Sequence, residues 1–287
     1  MFMHPRHLHP TAGWTAALAM AIAILGGAAR ADSRLDAQYK ISVAGIAIGK
    51  SNIDVVIGGA EYTSVANGRA SGVLRALLSG EGTVNARGAV VDGRLVPASF
   101  TSSTTRDDEK AAVKMTFDGG DVKDLTAEIS APDEERVPVT ADHRKGIVDP
   151  LTALLVRVDG AGDVVAADAC RRTLAIFDGR RRFDLALSFK RIDQVRSAKG
   201  YAGPAVVCAV AFKPVAGHRP GSTLVKYLTG GRDIELTLAP IAGTRLLAPF
   251  RLSIANMLGN MVIEATEFEI TTTSATRAAL PAATTAQ

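Results

Sequence analysis

The stretch CRRTLAIFDGRRRFDLALSF, residues 170–189, decides the fold class. Thr173 to Phe177 is an apolar, β-prone run, Asp178-Gly179 is a tight-turn dipeptide, and Phe183 to Phe189 alternates large apolar residues with others. Two such runs around Asp-Gly spell a β-hairpin. Cys170 stands at its base, and Cys208 lies in the later run AVVCAVAF, residues 205–212. In an oxidising compartment these two cysteines of the chain admit one intramolecular pairing, and in a reducing one they are buried free thiols. Their spacing is not the C-x-x-C that makes a redox-active pair.

Upstream of the hairpin the same alternation recurs. Residues 36–57 hold two β-prone runs, expected to break at Gly49-Lys50, with Ile53, Val55 and Ile57 on one face of the second. EYTSVANGRA (61–70) reads as a third strand, and GTVNARG, RLVPASFTSSTT and a hairpin around Asp118-Gly119-Gly120 continue the meander. Between them SGVLRALLSGEG (71–82) places Val73, Leu74, Leu77 and Leu78 at helical spacing. Residues 131–150 are polar with three prolines and read as a crossing loop.

Asp149-Pro150 then supplies an N-cap and a first-turn proline, which predicts a helix over residues 150–158. Its stripe of Leu151, Leu154, Leu155 and Val158 requires burial against a sheet. Downstream of the hairpin come strand signals in AVVCAVAFKPVAGH, DIELTLAPI, FRLSI and NMVIEATEFEI, and then a small, polar tail from Thr271 expected to be disordered. About a dozen strand signals with one or two short helices make a mainly β, antiparallel protein with helix packed on it. The expected layout is one domain over residues 32–270.

Residues 1–31 read as a cleaved signal peptide. Met1 to Gly13 is mostly polar with Arg6, Trp14 to Leu25 is apolar but for Thr15, and Ala29-Arg30-Ala31 places small residues at −3 and −1. The apolar run is short of the ~20 residues of a membrane span. A soluble periplasmic protein is expected, in a compartment where a disulfide persists. Net charge +4 falls to 4 − 2 = +2 once Arg6 and Arg30 leave, and aromatics are only 5%. That combination argues against a nucleic-acid partner, which needs a basic patch or stacking platforms.

Catalytic and metal signatures are missing. His143 and His218, the two histidines of the mature chain, are isolated, no G-x-S-x-G or phosphate-binding glycine loop occurs, and the acid pairs Asp107-Asp108 and Glu134-Glu135 sit in polar loops. No cofactor, no metal and no enzymatic activity is expected. Arg180, Arg181 and Arg182 follow the hairpin turn, with Arg171 and Arg172 at its base, and guanidinium forks suit phosphate or carboxylate groups. The competing reading is a solvated hairpin tip neutralised by Asp178 and Asp184. Alternation sends Arg180 and Arg182 to one face and Arg181 to the other.

YKISVAGIAIGK (39–50), DPLTALL (149–155), C-RRTLAIFDGRRRFDLAL (170–187) and YAGPAVVCAVAFKPVAGH (201–218), in that order, resemble the uncharacterised bacterial envelope family known as domain of unknown function 3108. The resemblance covers about residues 36–270. It implies the fold of the periplasmic lipoprotein carriers: a strongly curved antiparallel sheet, a half-barrel, with short helices packed on the concave side over an apolar cavity. The helix of Leu151, Leu154 and Leu155 would then be the lid, with VLRALL beside it, and Arg180 and Arg182 would meet a head group. The expected partner is a lipid or a lipoprotein acyl chain, with membrane contact no more than peripheral. The alternative is a scaffold that holds another envelope protein.

Overall fold

The computed structural model describes residues 32–71, 80–106, 109–128, 135–231, 233–255 and 259–273. The signal-peptide segment, residues 72–79 of the first helical signal, Asp107-Asp108, Glu134 and residues 274–287 of the tail lie outside the described residues.

Seven strands form the N-terminal meander: β1 (Asp32–Val43), β2 (Ile46–Ile57), β3 (Glu61–Ala70), β4 (Glu81–Val91), β5 (Arg94–Arg106), β6 (Glu109–Asp118) and β7 (Asp121–Glu128). The crossing segment ends in helix α1 (Pro150–Ala153) and the short strand β8 (Val156–Arg157). Then follow β9 (Arg172–Phe177), β10 (Arg182–Arg196), β11 (Lys199–Gly200), β12 (Ala202–Ala216), helix α2 (Thr223–Thr229), β13 (Ile234–Pro240), β14 (Leu246–Ile254) and β15 (Met261–Thr273). They make a single sheet of order β7-β6-β5-β4-β3-β2-β1-β15-β14-β13-β12-β10-β9, antiparallel along that path and not closed into a barrel. Its two wings meet where β1 pairs with β15, from Asp32 opposite Thr273 to Val43 opposite Met261. The last strand thus runs past the expected boundary at residue 270.

The sheet curls until its free ends face one another. Residues 147–148 strap the gap: the Ile147 amide donates to the Gly120 carbonyl at 2.9 Å, the Val148 amide donates to Ala175 at 2.9 Å, and the Phe177 amide donates back to Val148 at 3.1 Å. Phe100 and Met115 from one wing, Phe177 from the other, and Ile147 and Leu151 from the strap share one buried cluster. Alternation explains the inner face. Leu35, Ala37 and Tyr39 of β1 point inward beside Val55 and Ile57 of β2, whereas Arg34, Asp54 and Asn52 stand on the outer face. A polar outer face over an apolar inner one is the reverse of a lipid-facing barrel strand.

Two sequence expectations are corrected. The β1–β2 turn is Ala44-Gly45, with φ of 48° and 82°, and not Gly49-Lys50. A two-residue hairpin turn of this kind needs positive φ at both positions. Gly49 instead lies inside β2, where a side chain would press on Ile41 and the Arg69 carbonyl. The helix after Asp149 is also one turn only. Asp149 caps it, its Oδ1 accepting from the amides of Leu151 (3.0 Å) and Thr152 (2.8 Å). Val156 and Arg157 then pair with Leu247 and Leu246 of β14, so sheet hydrogen bonds replace the next helical turn. The apolar stripe is dealt to three clusters: Leu151 and Leu154 to the strap, Leu155 to the inner face of β1–β3, and Val158 to the face of β12–β14 that carries Val206, Leu236 and Leu238.

Outside, Lys190 and Arg191 of β10 reach across β12 to Glu235 of β13 at 2.6 and 2.9 Å. The Arg191 fork and the Lys190 ammonium hold the Glu235 carboxyl at about 2, well below its usual range. A depressed carboxylate stabilises above its ordinary pKa, and the contribution disappears as pH falls toward the depressed value. The stability gap between the native protein and Glu235→Gln is therefore expected to shrink between pH 5.5 and 3 in urea titrations. A gap constant over that range contradicts the pairing.

Candidate functional site

The β9–β10 turn is built by Asp178. Its Oδ1 accepts from the Arg180 and Arg181 amides at 2.9 and 2.6 Å, an Asx-type turn, and Gly179 takes φ of 91°. Gly179 also lies against Val113 of β6, where any Cβ would overlap the valine side chain. One residue therefore makes the turn and lets it dock on the opposite wing.

That docking encloses a cleft of about 500 Å³ between the wings. One wall is the inner face of β4–β6, with Phe100 and Val113; the other is the end of β10 and β12, with Phe183 and Phe212. Helix α2 covers it with Leu224, Val225 and Leu228, and Arg180, Arg181, Arg182 and His218 stand along the hairpin side. The volume is within the range of small-ligand pockets, and an apolar lining with a few convergent polar groups is their usual make-up.

The three arginines are not equivalent. Arg181 Nε donates to Asp178 Oδ2 at 2.8 Å, and Arg182 Nη1 donates to the Phe183 carbonyl at 2.7 Å and to Asp184 Oδ1 at 2.5 Å. The Arg180 guanidinium makes no hydrogen bond or ion pair among the described residues. His218 Nδ1, which is buried, likewise has no partner among the described residues. Arg181 lines the cleft with its neighbours, contrary to the alternation, because the strand begins only at Arg182 and turn residues do not alternate.

The basal arginines belong elsewhere. Arg171 pairs with Asp168 at 2.9 Å, and Arg172 donates to the carbonyls of Asp168 and Arg157, at the far end of β9. At ~3.3 Å per strand residue they lie about 20 Å from the turn. His143 Nδ1 accepts from the Thr140 amide at 3.1 Å in the crossing loop, away from the cleft.

Of the leucines expected to close the cavity, Leu151 and Leu155 are 3% and 7% exposed inside their clusters, and Leu154 packs on the strap. Only Pro150 of α1 reaches the cleft. Helix α1 is held in place from both sides: Tyr62 OH and Thr152 Oγ1 are 2.7 Å apart, and burial pushes the Asp149 carboxyl above its ordinary pKa. The cover is α2 instead. Its sequence signals were Ser222, whose hydroxyl accepts from the Val225 amide, the closing Gly230, and Leu224, Val225 and Leu228 at helical spacing.

The disulfide joins Cys170 and Cys208, with Cα atoms 5.4 Å apart. It clamps the 3-10 turn Ala167–Cys170 onto β12, and Val158, Val165 and Ala169 of the same segment bury against Val206, Leu236 and Leu238.

A family model described as "Protein of unknown function (DUF3108)" matches residues 38–266, so the chain belongs to that family. No curated protein matches it. Among solved structures it is similar to a beta-barrel-like protein of the domain of unknown function DUF1849 from Brucella abortus, at 11% identity and a TM-score of 0.42, over 85% of this chain and 100% of that one.

Proposed function

We propose that this member of the DUF3108 family is a non-enzymatic carrier of the bacterial periplasm that holds an acyl chain in the cleft between the wings of its sheet. The observation that carries this reading is an apolar cleft of about 500 Å³ lined by Phe100, Val113, Phe183 and Phe212, with unpaired polar groups confined to one side. Each buried methylene contributes about 0.8 kcal/mol, so a chain laid along these walls is retained without covalent attachment. Leu224 of α2 is 58% exposed, an apolar cost in the empty protein that a seated chain relieves. The disulfide agrees with an oxidising compartment.

The test is native mass spectrometry of the mature protein purified without detergent, followed by uptake of a fluorescent fatty acid. A co-purifying lipid mass and saturable uptake are expected, with Ala111→Trp, which fills the cleft from β6, reducing uptake at least about tenfold at unchanged melting temperature. Uptake unaffected by that substitution contradicts the reading.

A second reading, docking of an envelope protein, is favoured by β10. Beyond Leu187 its outer edge has no partner strand among the described residues, and Phe189 and Ile192 there are 42% and 48% exposed. An edge of this kind accepts an added strand. Under this reading the same native spectrum carries a polypeptide mass, lost in Phe189→Asp, and no lipid.

A further inference from the structure

Resting on the carrier reading, we infer that the cleft has a head-group subsite made by the Arg180 guanidinium and His218 Nδ1, and that it selects a single-chain amphiphile ending in a carboxylate or a phosphate monoester.

The charges on the hairpin side do not cancel. Arg180, Arg181 and Arg182 contribute three positive charges, Asp178 and Asp184 remove two, and 3 − 2 leaves +1, located on the arginine that has no partner. A cation beside an apolar wall, at the rim of a low-dielectric cleft, attracts an anion more strongly than one in bulk water. His218 lines the same cleft, and its ring Nδ1, out of contact with solvent, has no hydrogen-bond partner among the described residues. A buried polar atom left without a partner is costly, and a ligand head group that bonds to it recovers that cost. Arg182 is not the head-group residue, because its fork is committed to Asp184 and to the Phe183 carbonyl. Gly217 sets the subsite's geometry, since it backs the Arg180 carbonyl so closely that no Cβ fits between them.

The size of the cleft selects the tail. At ~30 Å³ for each methylene, a volume of about 500 Å³ is that of one chain of about sixteen carbons.

The test compares three sixteen-carbon probes on the delipidated mature protein: palmitate, palmitoyl lysophosphatidic acid and hexadecanol. The native protein is expected to bind at least one anion about tenfold or more tighter than hexadecanol, and the tighter of the two identifies the head group as carboxylate or phosphate. Arg180→Gln is expected to abolish that preference while leaving hexadecanol affinity unchanged, which also shows that the variant is folded. His218→Leu is expected to reduce the preference several-fold with the same control. Equal affinity for all three probes, or a preference that survives Arg180→Gln, overturns the subsite and leaves the carrier reading standing. Binding of none of them overturns the carrier reading itself. Dipalmitoyl phosphatidic acid competing as well as the single-chain anions overturns the one-chain limit.

Discussion

Replacing Cys170 and Cys208 together by alanine is expected to lower stability by about 4 kcal/mol, the loop-closure value for a cross-link spanning 38 residues. In a domain of this size that lowers the melting temperature by about 10 °C. The cross-link does not hold the sheet together, since β10 and β12 are already paired from Arg182 to Arg196. It holds down the segment that covers Val206, Leu236 and Leu238 of β12–β13, where Val158, Val165 and Ala169 are buried. Reduction of the native protein is therefore expected to expose this apolar face to a hydrophobic dye before the β signal in circular dichroism is lost. Equal urea midpoints for oxidised and reduced protein would show that the cross-link adds nothing to folding.

Gly217→Ala is expected to be as damaging, and to remove ligand capture too. Gly217 has φ of 75°, and a Cβ there would overlap the Arg180 carbonyl oxygen. It is also stapled in place: its amide donates to the Val137 carbonyl and its own carbonyl accepts from Arg136 Nη1, both at 2.7 Å. The backbone cannot retreat toward the crossing loop, so the alanine must push the arginine turn off Val113 and open the cleft. The strain of a left-handed alanine and the lost packing together cost about 3–5 kcal/mol. Gly221→Ala, a few residues on with nothing within 4 Å of its added methyl, is the control and should lie within about 0.5 kcal/mol of the native protein. Urea titration of the two variants decides it, and a Gly217→Ala protein as stable as the control would mean that the turn is not wedged.

The two predictions share a cause that the sequence shows only in part. The hairpin was legible because its signals are local: Asp178-Gly179 between two β-prone runs can make little else. The pairing of Cys170 with Cys208 was legible because no other cysteine competes. The Asp149 cap was legible, but the length of its helix was not, since the pull of β14 on Val156 and Arg157 comes from residues about 90 positions away. The first turn was misplaced at Gly49 because glycine marks both tight turns and close strand packing, and only the neighbours tell the two apart.

Local sequence was enough for the mainly β, antiparallel character of the chain, most of its strands, the capped turn at Asp149 and the pairing of its two cysteines. These depend on spacing, on side-chain shape and on counting, which are properties of short stretches. Which residues line the cleft follows only from how the wings come together. The leucines of DPLTALL serve two buried clusters, whereas Phe100 and Val113, Arg180 and Phe183, and Phe212, His218 and the cover helix α2 come together from three separate parts of the chain. That Arg180 is the arginine left unpaired likewise follows from the fold, because the reach of Asp178 and Asp184 depends on where the turn ends and β10 begins. A cleft between the ends of a curled sheet is made by strands most distant in the sheet order, so no local pattern encodes it.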